Sequence, residues 1–188
     1  MIRLDVITSN PGKMREFRAA LEPLGFELRQ RSEEIKEIQA DGLEDVVRNC
    51  MAQLKARGLN NYLIDDSGLF IDSLKGFPGV YSAYALKTIG CQGMIELLRG
   101  KHDRTARFRC CIGCSVDNLG EVVVSAEAVG RIIEEERGSG GFGFDPIFVP
   151  SGYERTFSEL PLDEKNRVSH RGKAINSLRE RLLKRMEK

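Results

Sequence analysis

The stretch that most limits what this chain can become runs from Tyr62 to Asp72 (YLIDDSGLFID). In it an apolar run enters two adjacent carboxylates, a hydroxyl and a glycine, and then turns apolar again. Residues 62–64 predict a short buried strand, bounded by the turn residues Asn60 and Asn61 before it and Ser67 and Gly68 after it. Side chains alternate faces along a strand, so at most one of Asp65 and Asp66 readily faces a given cleft. A polar strand end with an Asx-type turn accounts for this pattern. So does a divalent-cation site, because hard cations such as Mg²⁺ are held by one or two carboxylates plus substrate phosphates. The second reading requires a phosphate binder elsewhere in the chain.

The N-terminus offers one. Ile2, Leu4 and Val6 alternate with Arg3 and Asp5 as in a strand, which runs into Thr8-Ser9-Asn10-Pro11-Gly12-Lys13. Met14, Phe17 and Leu21 then recur at helical spacing up to Pro23. Asn10 suits an N-cap and Pro11 the first helical position, where its missing N–H has no intrahelical partner in any case. A strand, a small polar loop and a helix start thus meet, and the free N–H groups and dipole of such a junction attract anions. Lys13 adds a full charge there. The spacing of a Walker A loop is absent.

A chain of 188 residues is most economically a single domain, 1–188, with a real core. With 29 basic against 28 acidic residues, the balance gives no reason to expect a nucleic-acid or membrane surface. No apolar stretch approaches a membrane span and no signal-peptide pattern opens the chain, so a cytoplasmic protein is expected. The five cysteines are odd in number and include the C-x-x-C pair Cys111 and Cys114. Strand alternation puts Cys110 and Cys114 on one face and Cys111 on the other, so small core residues are expected rather than zinc ligands.

A second strand is expected near residues 26–30, followed by a helix opened by an Asp41/Glu44 capping box. Glu37, in the connection before that helix, can reach the cleft of Asp66 as a second carboxylate. Residues 105–116 and 121–133 read as an antiparallel hairpin, so a mixed sheet is expected. The run of residues 138–143 satisfies G-x-G-x-x-G, but Asp145-Pro146 follows instead of a helix, which excludes a dinucleotide fingerprint. Its glycines permit close approach of a flat ligand, with Phe142 or Phe144 to stack on it and Asp145 to meet its edge. Near the C-terminus Ser169 reads as the N-cap of a last helix. His170 and Arg171 there fit either a polar surface turn or, with Lys165, an anion or carbonyl site.

Four motifs in this order, Thr8-Ser9-Asn10 with Lys13, Asp65-Asp66-Ser67-Gly68-Leu69, Phe142-Gly143-Phe144-Asp145-Pro146 and Ser169-His170-Arg171, resemble the inosine triphosphate pyrophosphatases over nearly the whole chain. The resemblance implies an α/β fold: an elongated central mixed β-sheet flanked by helices, in two lobes with the active cleft between them, assembled as a homodimer. It implies Mg²⁺-dependent hydrolysis of ITP, dITP or XTP to the monophosphate and pyrophosphate. Carried over, Thr8, Ser9, Asn10 and Lys13 hold the triphosphate, Glu37 and Asp66 bind Mg²⁺, and Asp66 is the general base. Ser67 and Lys165 touch substrate, Phe142, Gly143, Phe144 and Asp145 sandwich and read the base, and His170 with Arg171 recognises the 6-keto edge. One departure stands out: many relatives place a lysine where this chain has Gln53, which leaves a phosphate role for Lys55 in doubt. A pyrophosphatase of modified pyrimidine nucleotides and a silent nucleotide-binding module remain the alternatives.

Overall fold

The computed structural model describes residues 2–187. Its frame is one sheet in the order β2-β1-β3-β5-β6-β7, with a two-residue strand β4 paired to β3. Strands β1 (Ile2–Ile7), β2 (Phe26–Arg31) and β3 (Tyr62–Ile71) run parallel. Their connections are crossovers carrying helices α1 (Pro11–Leu21) and α2 (Leu43–Ala56). The hairpin of β5 (Thr105–Val116) and β6 (Gly120–Ile132), then β7 (Phe148–Pro150) and β4 (Pro78–Gly79), add antiparallel pairs. The expected mixed α/β sheet is what forms.

β3 is longer than its sequence suggests. No turn forms at Ser67 and Gly68, because β5 pairs with the strand along its whole length, from Tyr62 opposite Ser115 to Ile71 opposite Ala106. The partner strand supplies the hydrogen bonds that an Asx turn would otherwise have made locally. Gly68 is required by the same crowding: a Cβ there would lie 2.3 Å from the Gly79 carbonyl oxygen on β4.

Three apolar cores sit on this frame. Leu4, Phe17, Leu28, Cys114 and Leu178 belong to the first, formed between one face of the sheet, α1 and the last helix, α6 (His170–Met186). Val47, Leu54, Tyr62 and Cys111 belong to a core under α2. In the other half of the sheet Leu69, Phe108, Phe148 and Phe157 pack with Met94 of α4 (Gly90–Leu97), which follows α3 (Ser82–Thr88). Cys111 and Cys114 fall in different cores and all five cysteines are free, as alternation along β5 requires. The Asp41/Glu44 box does not form. α2 starts one residue later, after Gly42, with no side-chain cap, and Glu44 instead accepts from Arg48 one turn on. No helix among the described residues is long and apolar enough to cross a membrane.

Candidate active site

Three local structures converge on the middle of β3. At the first, the Asn10 side chain caps α1 by accepting from the N–H groups of Gly12 (2.8 Å) and Lys13 (3.3 Å), and Pro11 takes the first helical position. The Asn10 N–H donates to Thr8 Oγ1. Among the described residues the Ser9 N–H alone of the loop's backbone donors has no partner, so what the loop offers an anion is that N–H, the helix dipole, hydroxyls and the Lys13 ammonium.

The second is the junction between α5 (Leu162–Val168) and α6. Ser169 is extended and caps α6 by accepting from the Gly172 N–H at 3.1 Å. This sharp join turns Lys165, His170 and Arg171 inward, leaving them 4%, 4% and 2% exposed. Gly172 permits it, since a Cβ there would lie 1.7 Å from the Asn166 carbonyl oxygen. Gly172→Ala must move one helix off the other. We expect a loss of about 1–3 kcal/mol in chemical denaturation together with a marked loss of turnover; a variant with unchanged stability would show the junction to be tolerant.

The third is the glycine-rich loop ending at the 3₁₀ turn Asp145–Ile147. Asp145 Oδ2 accepts from the Phe142 N–H at 2.8 Å and so fixes the loop tip. The Phe142 ring lies over Gly12, 4.7 Å from Lys165 Nζ and 5.4 Å from the Arg171 guanidinium.

Beneath the surface the charges alternate. Lys13 Nζ lies 3.1 Å from Asp65 Oδ1. Asp65 Oδ2 accepts from Arg171 Nε at 3.0 Å, and Arg171 Nη1 donates to Glu16 at 2.8 Å. Glu16 and Asp145 share Lys165, at 3.2 and 2.8 Å. Arg171 Nη2 also donates to Ser67 Oγ at 2.9 Å. Burial alone would push the Asp65 carboxyl up, but Lys13 and Arg171 outweigh it and hold the group below its usual range. Burial, followed by Arg171 and Lys165, pushes the His170 imidazole well below 6.5, so it is neutral. Its ring stacks on Phe108 at 4.7 Å and its Nδ1 is buried without a partner.

Asp66 and Glu37 stand outside that alternation. Burial pushes the Asp66 carboxyl up to about 6; Lys13 opposes the shift, and the charge of Glu37 adds to it. Among the described residues neither acid has an ion-pair partner, and no group of three or more acid, cysteine or histidine side chains gathers to hold a metal. Two carboxylates without ion-pair partners in one cleft suit a hard divalent cation that completes its shell with water and phosphate oxygens.

The cleft has a volume of about 450 Å³, within the usual range for small-molecule sites. Thr8, Ser9, Asn10, Lys13, Glu37, Asp66, Ser67, Phe142, Gly143, Phe144, Asp145, His170 and Arg171 all line it. Lys165 does not: it lies behind Phe142, committed to Glu16 and Asp145. Phe144 is 3% exposed and belongs mostly to a core, leaving Phe142 as the freer aromatic. Lys55 faces away, paired with Glu121 on the surface. Glu16 escaped the sequence reading. The available signal was its place one helical turn after Lys13 and beside the buried Phe17.

Comparison with known proteins adds the family. The model of the Ham1 family matches residues 4–181. This chain belongs to the Ham1 family. It is 49% identical to a dITP/XTP pyrophosphatase of Thermococcus kodakarensis over 185 residues, 96% of this chain and all of that one. It is 48% identical to a dITP/XTP pyrophosphatase of Pyrococcus horikoshii, covering 95% and 96% of the two chains. The fold is similar to that of a solved HAM1 protein from Coxiella burnetii, with a TM-score of 0.83 at 30% identity over 98% of this chain and all of the other.

Proposed function

We propose that this protein hydrolyses the triphosphates of deaminated purines, ITP, dITP and XTP, to the nucleoside monophosphate and pyrophosphate, with Mg²⁺ as cofactor. The observation that carries this reading is the pair Asp66 and Glu37, neither with an ion-pair partner among the described residues, set in one cleft with the Lys13 junction and with the partnerless Nδ1 of the neutral His170. The near-half identity to dITP/XTP pyrophosphatases over almost the full chain supports it.

Thr8, Ser9, Asn10 and Lys13 hold the triphosphate, the lysine offsetting its charge. Glu37 and Asp66 would hold the Mg²⁺ ion, which would supply Lewis-acid polarisation of the phosphoryl oxygens and offset the charge of the leaving pyrophosphate. Asp66 accepts a proton from the attacking water. The water oxygen bonds to the α-phosphorus while the bond from that phosphorus to the α–β bridging oxygen breaks. Ser67 touches the substrate, and Phe142, Gly143, Phe144 and Asp145 enclose the base. His170 and Arg171 meet the 6-keto edge. Adenine presents an amino group there and leaves the buried donor side unpaired, a cost of about 1–3 kcal/mol. Lys165 reaches substrate only when Phe142 lifts from it. The protein works in the cytoplasm as a homodimer, which light scattering with size exclusion tests.

The reaction is tested by product analysis with ITP, GTP and ATP at equal concentration, with and without Mg²⁺. The expected result is pyrophosphate from ITP far above the other two, and only with metal. Orthophosphate as the product would sink the mechanism, and tight ITP binding without turnover would make this a binding module.

A further inference from the structure

Glu37 lies in a stretch that has no regular structure of its own. Between β2 and α2, residues 32–40 form no helix or strand and make no backbone–backbone hydrogen bond among the described residues. The Glu37 side chain has no hydrogen bond or ion pair there either, so its position depends on whatever holds the backbone beside it.

One side chain does so at the adjacent residue. Gln53, on α2, accepts from the Lys36 N–H at 3.1 Å and donates through Nε2 to the Lys36 carbonyl oxygen at 2.7 Å. This two-way exchange copies one rung of a β-ladder. The same Nε2 group donates to Asn49 Oδ1 at 2.7 Å, one helical turn back, so both of its protons are used and the amide is locked. The other polar ties are farther off: Arg57 Nη2 donates to the Glu34 carbonyl oxygen at 2.7 Å, and the Glu33 carboxylate pairs with Arg31 and Arg57.

We propose that Gln53 is a positioning residue that fixes the Glu37-bearing segment against α2 and so sets the affinity of the cleft for its divalent cation. The inference rests on the assignment of Glu37 and Asp66 as metal ligands. A ligand on an unanchored segment must be ordered each time the ion binds, and Gln53 meets that entropy in advance.

The test is a Mn²⁺ titration of the nucleotide-free protein, following free Mn²⁺ by electron paramagnetic resonance, with amide exchange across residues 36–40 measured alongside. Gln53→Met keeps the side-chain length and removes every hydrogen bond. We expect Mn²⁺ affinity about tenfold weaker, the low end for loss of an outer-shell support, with faster exchange at 36–40. Turnover of ITP recovers at correspondingly higher Mg²⁺, a rescue that general destabilisation would not give. Lys55→Met, on the opposite side of α2, leaves all of these unchanged. Should Gln53→Met fail to fold, Gln53→Asn, which keeps the amide but withdraws it by one methylene, is expected to weaken Mn²⁺ binding in the same way. Glu37→Gln measured in parallel separates the two readings. Weakening by Glu37→Gln but not by the Gln53 variants overturns the positioning role alone, whereas no weakening by either overturns the metal assignment and the inference with it.

Discussion

Asp66→Asn is expected to lower pyrophosphate release from ITP by about a thousandfold, within the range for loss of a positioned general base, while making the metal-free protein more stable. The two effects have one origin. In the folded chain the Asp66 carboxyl sits at about 6 instead of 3.8. Between these values the folded state binds more protons than the unfolded state, so stability falls as pH rises through this window and stays low above it. Two units correspond to about 3 kcal/mol, reduced to about 2 kcal/mol because solvent reaches the half-buried group. For a chain of this size that is a rise in Tm of about 4–8 °C above pH 6, and none below pH ~4. Added Mg²⁺ should restore stability to the parent and leave the variant unchanged. Thermal unfolding at two pH values, with and without metal, reads all of this. A variant as active as the parent would remove Asp66 from the mechanism, and one that unfolds earlier than the metal-free parent would show that the carboxylate is not under strain.

Arg171→Met is expected to be the most destabilising change in the cleft. Arg171 is 2% exposed and uses three of its five N–H groups, one on each nitrogen, on Asp65, Glu16 and Ser67, leaving one on each Nη for the substrate edge. Without it two buried carboxylates each lose a partner, and breaking a buried pair in this way costs about 3–5 kcal/mol. The corresponding fall in Tm is ~6–20 °C. Arg171→Lys recovers little, because an ammonium cannot reproduce the planar fork that reaches three acceptors. Protein that still folds should discriminate ITP from ATP about 10- to 100-fold less well, the equivalent of one lost buried hydrogen bond. Unchanged stability in urea would mean that the charge alternation contributes nothing to the fold.

The elements were legible wherever a local rule acts alone. Asn10 and Pro11 start α1, Ser169 caps α6, and alternation along β5 separates Cys111 from Cys114, because caps and strand periodicity depend on neighbours within a few residues. The Asp41/Glu44 box is absent because α2 starts one residue later, after Gly42, which takes Asp41 off the cap position, and the turn at Ser67-Gly68 is absent because β5, about 45 residues away, pairs through it.

The site divides in the same way. The residue types and order of the four motifs are properties of the sequence, and they carried the family resemblance. Which of two adjacent aspartates is neutralised was beyond it. The strand pleat sends Asp65 to Lys13 and Arg171 and leaves Asp66 beside Glu37, and those partners come from both ends of the chain. Glu16, the withdrawal of Lys165 behind Phe142 and the Gln53 bonds to Lys36 were likewise set by packing. A charge and its environment are fixed by what surrounds it in space, and the sequence alone determines only which charges are available to be placed there.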